Sequence, residues 1–136
     1  MPTKTKRIIG WTLTILVGLF LIGASGVPKF FDFPGKADLM AKLQIPTNLL
    51  TTLGVIEISV AVLYLIPRTA FLGAILATAH LGGAVWTHLR VGEPWFFPII
   101  VAVLMWLGLA LRRPVIFRLL LGQECPTSPI TDTAQR

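Results

Sequence analysis

The chain has 136 residues, 54% of them hydrophobic and 13% charged, with a formal net charge of +6. Soluble domains carry about 25% charged residues, so the composition excludes an ordinary water-soluble fold and makes the lipid bilayer the main partner. The cations lie beside apolar runs and not in a basic stripe interleaved with aromatics, which argues against nucleic acid; a lone cysteine, Cys125, excludes an intrachain disulfide or a CxxC redox pair.

A basic start, Lys4, Lys6 and Arg7, leads into the first apolar run, Ile8 to Val27. The run exceeds the 7–15 residues of a signal-peptide core, so it reads as a retained span. The outer loop Pro28 to Asn48 follows, and within it Lys36 to Leu43 reads as a short interfacial helix. Its Leu39, Met40 and Leu43 fall on one face, with Asp38 and Lys42 opposite. The second run is Leu49 to Ile66. Pro67, Arg68 and Thr69 then allow only a tight antiparallel hairpin before the third run, Ala70 to Leu89. The fourth is Trp95 to Leu111. The stretch after Leu121, residues 122–136, is rich in Pro, Thr and Ser without apolar periodicity and reads as a disordered cytoplasmic tail.

A run of about 18 or more apolar residues crosses the ~30 Å hydrocarbon core. Residues 1–121 therefore read as one all-α transmembrane domain, an up-down-up-down four-helix bundle. Gly10, Thr14 and Gly18 on the first span, and Gly73 with Ala77 on the third, supply small-residue packing seams. Lys4, Lys6, Arg7, Arg68, Arg112, Arg113 and Arg118 fall on one side; Lys29, Lys36, Lys42 and Arg90 fall on the other. The more basic side is expected to be cytoplasmic, with both termini inside.

Glu57 interrupts the second run. In a hairpin centred on Arg68 it lies eleven residues before the turn, and His80 lies twelve after, so the two share a depth near mid-membrane. Leu50, Gly54, Glu57, Ala61 and Tyr64 share one helix face; Gly73, Ala77, His80 and Ala84 share another. A charge at the bilayer centre costs about 2.5–3.5 kcal/mol on insertion scales, so such groups turn inward and pair. One reading makes Glu57–His80 a bond that fixes helix register. The other makes Glu57 a proton relay or a contact to a ligand headgroup. At the outer end, Thr87, His88, Arg90 and Glu93 gather near Lys29 and Asp32, either as ordinary interfacial charge or as a headgroup site. His80 and His88 lie about 12 Å apart along one helix and cannot both ligate one haem iron; no residue spacing suggests a metal site.

Ser25-Gly26-Val27-Pro28-Lys29, Glu57, Pro67-Arg68-Thr69, Leu81-Gly82-Gly83-Ala84 and Thr87-His88-Leu89-Arg90 together resemble the DoxX-like membrane proteins over nearly all of Ile8 to Leu121. The resemblance implies a multi-pass protein of the bacterial cytoplasmic (inner) membrane, with Glu57, Arg68, His88 and Arg90 as its matching polar positions. The wider group includes subunits linked to quinone-dependent oxidoreductases. Three functions then compete. The first is a membrane subunit binding a quinone or similar lipid-soluble molecule through Glu57, Tyr64, His80, His88, Arg90 and Lys29. It would lack its own redox centre and so would work with a redox partner subunit or as a homo-oligomer. The second is a small-solute transporter with Glu57 on the path. The third is an assembly protein without a ligand.

Overall fold

The computed structural model describes residues 3–123; the tail beyond Gln123, including Cys125, lies outside the described residues. Every regular element among the described residues is helical. Helix α1 (Lys4–Leu19) starts at Thr3, whose hydroxyl accepts the Lys6 amide at 3.4 Å. It buries Gly10, Thr14, Val17 and Gly18. A Cβ on Gly10 would meet Arg112 and the Gly108 carbonyl, and one on Gly18 would meet Leu65. The small-residue stripe is thus a seam against the helices that follow.

The first apolar helix does not stop at Val27. It widens into a π-helical segment, Phe20–Gly26, and then tightens into a 3-10 turn, Val27–Phe30. Proline at the start of that turn lacks an amide that the new register would not use. Helical conformation therefore continues through Lys29 for three residues past the expected end, giving a 27-residue unit from Lys4 to Phe30. The short helix α2 (Lys36–Lys42) follows Gly35, which holds a φ of 86° that side-chain-bearing residues rarely adopt.

Helix α3 (Leu50–Leu65) enters from a 3-10 turn at Thr47–Leu49, and α4 (Ala70–Arg90) returns after a tight connection. Thr69 secures that connection by donating its hydroxyl to the Leu63 carbonyl at 2.8 Å. The buried face of α3 comprises Leu50, Gly54, Glu57, Val60, Ala61 and Tyr64. It meets the face of α4 that carries Ala70, Gly73, Ala74, Ala77 and Leu81. Gly73 is required there, because a Cβ would collide with the backbone of Leu63 and Tyr64. Helix α5 (Phe96–Arg112) packs on α1 and α4. A six-residue helix, α6 (Val115–Leu120), follows Pro114 and buries Ile116.

The molecule is apolar outside as well as inside. Ile15, Leu16, Val55, Ile56, Leu72, Ile75, Ile100 and Val103 are exposed on helix surfaces. Water would penalise such a belt and hydrocarbon would not. Three helical units, Lys4–Phe30, Thr47–Leu65 and Ala70–Arg90, are long and apolar enough to span a membrane; Phe96–Arg112 is apolar but shorter. Contacts between Gly10 and Arg112 and between Arg113 and the Pro67 carbonyl gather the most basic segments at one end. Lys42, Glu93 and Arg90 meet at the other.

Candidate functional site

Glu57 is the one charged residue in the buried core among the described residues, with 2% of its surface exposed. Its Oε2 accepts a hydrogen bond from Lys29 Nζ at 2.5 Å, and its Oε1 lies 3.8 Å from His80 Nε2. The matched depth of Glu57 and His80 on the hairpin thus becomes a close approach. Lys29 is the unexpected member. Sequence reasoning grouped it with Asp32 in the outer loop, but the π-helical and 3-10 turns carry it back over α3. Two glycines allow this. A Cβ on Gly26 would strike Ile58, and one on Gly54 would strike Phe30. The ammonium also donates to the Ser25 carbonyl at 2.8 Å and the Ser25 hydroxyl at 3.2 Å. The short motif Ser-Gly-Val-Pro-Lys therefore places a cation where the buried carboxylate needs one. The available sequence signal was an intramembrane acid with a lysine just past a neighbouring span.

The ion pair lines a cavity of about 510 Å³, within the range usual for small-molecule sites. Phe20, Leu53, Phe97 and Val101 give it apolar walls, and His80, Thr87 and His88 line it from α4. Helix α2 supplies another wall with Leu39, Met40 and the following Leu43. Thus the residues read as the apolar face of an interfacial helix turn towards this space. Polar ties hold α2 there. Arg90 donates to the Leu43 and Gln44 carbonyls at 3.3 and 3.4 Å, and Lys42 pairs with Glu93 at 2.7 Å. Arg90 is not among the residues lining the cavity; it acts on the segment that covers it.

His88 Nδ1 lies 2.8 Å from the Ala84 carbonyl. A carbonyl oxygen can only accept, so Nδ1 carries a proton; in the imidazole tautomer that this contact selects, Nε2 is the acceptor nitrogen. Tyr64 sits about two turns along α3 from Glu57, fully buried and outside the cavity lining. Its hydroxyl donates to the Met105 carbonyl at 2.9 Å, with Thr14 Oγ1 at 3.2 Å. Of the six candidate residues, Lys29, Glu57, His80 and His88 line one cavity, while Tyr64 and Arg90 occupy structural contacts nearby. Arg112 was not anticipated as a half-buried cation. Its guanidinium stacks on Trp11, 4.3 Å from the ring centroid, beneath the Tyr64 layer. Among the described residues, no group of three or more His, Cys, Asp or Glu side chains could hold a metal ion.

The model of the DoxX-like family matches residues 12–110, well over half the chain and all of the cavity-lining polar residues, so the chain belongs to that family. No curated protein and no solved structure matches it.

Proposed function

We propose that this DoxX-like protein is a four-helix, up-down-up-down protein of the bacterial inner membrane that binds a lipid-soluble ligand of the quinone class. The observation that carries the reading is the Glu57–Lys29–His80 cluster in the lining of an otherwise largely apolar cavity of about 510 Å³. A buried charge cluster that served only packing would have little use for an adjoining space. A ring with polar substituents would meet Glu57, His80 and His88, and its apolar substituents would meet Phe20, Phe97 and Met40. When bound, such a molecule supplies paired electron and proton exchange. The chain's residues would orient it and accept or return protons at Glu57 and His88, and electrons would come from a redox partner subunit.

The packed layer beyond the cavity favours binding over passage of a solute. Tyr64, Thr14, Met105 and Leu109 are all fully buried, and none of them lines the cavity. The basic end, with Lys4, Arg68 and Arg113, is the cytoplasmic side in this proposal, so the cavity belongs to the outer half of the membrane. Extraction of the purified protein followed by mass analysis tests the reading. A quinone-class molecule should accompany the wild-type protein and be depleted from the Glu57→Leu variant. Absence of any such molecule from preparations that retain native lipid would refute it.

A further inference from the structure

The hydrogen-bond inventory of the cavity is lopsided. Lys29 has three donors, and all are committed, to Ser25 O, Ser25 Oγ and Glu57 Oε2. Lys36, which also lines the cavity, directs its three at the Lys29 and Phe31 carbonyls and at Asp32 Oδ1. The Thr87 hydroxyl donates to the Gly83 carbonyl at 2.9 Å, and the His88 Nδ1 proton goes to Ala84. The Ser25 hydroxyl accepts from Lys29 at 3.2 Å. Among the described side chains lining the cavity, His80 alone keeps an uncommitted N–H. Acceptors remain in excess: His88 Nε2, the Thr87 oxygen and Glu57 Oε1.

The 3.8 Å between Glu57 Oε1 and His80 Nε2 is too long for a hydrogen bond. A ligand hydroxyl seated against both atoms would donate to the carboxylate and accept from the imidazole. A second hydroxyl towards His88 would find a bare Nε2. A carbonyl at that end would face a lone pair and lose its hydration without replacement, an outcome that costs affinity.

We propose that the cavity selects apolar ligands that donate hydrogen bonds, phenols and the reduced, dihydroxy form of a quinone, over their carbonyl or ether counterparts. The selectivity deepens the quinone-class reading and rests on it. It arises because Thr87 and His88 of helix α4 and Lys29 commit their donors internally, leaving the His80 N–H outnumbered by acceptors that face the ligand.

The test uses full-length protein in lipid nanodiscs, without oxygen, with tryptophan fluorescence reporting binding. One probe pair is a short-tailed benzoquinol and its benzoquinone. The other, free of redox chemistry, is an alkylphenol and its methyl ether. In both pairs the donor-bearing member should bind at least about tenfold more tightly, the ratio that corresponds to one well-placed hydrogen bond. His88→Leu should reduce that ratio several-fold by weakening only the hydroxylated members. Equal affinities within both pairs, or a preference for the quinone and the ether, would overturn the selectivity while leaving the cavity a binding site. If none of the four probes binds, the quinone-class reading falls as well. An unchanged ratio in His88→Leu would remove His88 from the proposal.

Discussion

Replacing Lys29 with Met tests the ion pair most directly, since Met keeps the length of the side chain and removes its charge. The change leaves the Glu57 carboxylate, 3% exposed at its side chain, without its closest partner. Two magnitudes bear on the result. Neutral polar contacts between membrane helices average about 0.6 kcal/mol, whereas a lone charge at mid-span costs about 2.5–3.5 kcal/mol. The buried, charged geometry makes the second the relevant scale, and Lys29→Met should lose about 3 kcal/mol. The reverse change is milder. The Lys29 side chain is 21% exposed and keeps both Ser25 oxygens, so Glu57→Gln should cost only about 1 kcal/mol. The double variant should be far more stable than two independent losses imply, with a coupling of about 2 kcal/mol. Denaturant titration in mixed micelles, followed by tryptophan fluorescence, measures all three. A loss below about 0.5 kcal/mol for Lys29→Met, or strict additivity in the double variant, would refute the pairing.

Tyr64→Phe should cost about 0.5–1.5 kcal/mol, the scale of one internal hydrogen bond, while leaving co-purified ligand unchanged, since Tyr64 is outside the cavity lining. Gly73→Ala drives a methyl group into the Tyr64 backbone and should destabilise by about 1–3 kcal/mol in the same titration. Gly82→Ala, where a Cβ meets nothing within 4 Å, should be neutral or slightly stabilising. A membrane-impermeant thiol reagent should label Cys125, which lies outside the described residues, only after the cells are permeabilised; labelling of intact cells would invert the proposed orientation.

Helical periodicity made some of this legible. The α3 face running through Leu50, Gly54, Glu57, Ala61 and Tyr64 follows from 3.6 residues per turn, and that face is buried. The proximity of Glu57 and His80 followed from a hairpin with too few residues to do anything else. The position of Lys29 did not follow. Hydropathy ends a span where polar residues begin, yet the π-helical segment depends on backbone register, to which apolar periodicity is blind. Pro28 reinforced the early stop, because a proline usually marks a helix end and here opens a new turn. The role of Arg90 was equally hidden: its partners are backbone carbonyls of a loop more than forty residues away. Arg112 closes an apolar run in sequence like any interfacial cation, and only the approach of Gly10 and Trp11 encloses it.

The pairing of α1 with α5 has a bearing on how the protein is made. Leu13 and Thr14 of the first helix meet Gly108, and Gly10 meets Arg112, near the end of the last long helix. A ribosome releases those partners roughly a hundred residues apart, so α1 waits in the bilayer while the α3–α4 hairpin is completed beside it. Until α5 arrives, the Gly10–Thr14 stripe lacks its main cover and is open to any helix with a small-residue face. A chain cut short before Phe96 would keep that stripe exposed indefinitely, giving membrane quality control a feature by which to distinguish unfinished copies from finished ones.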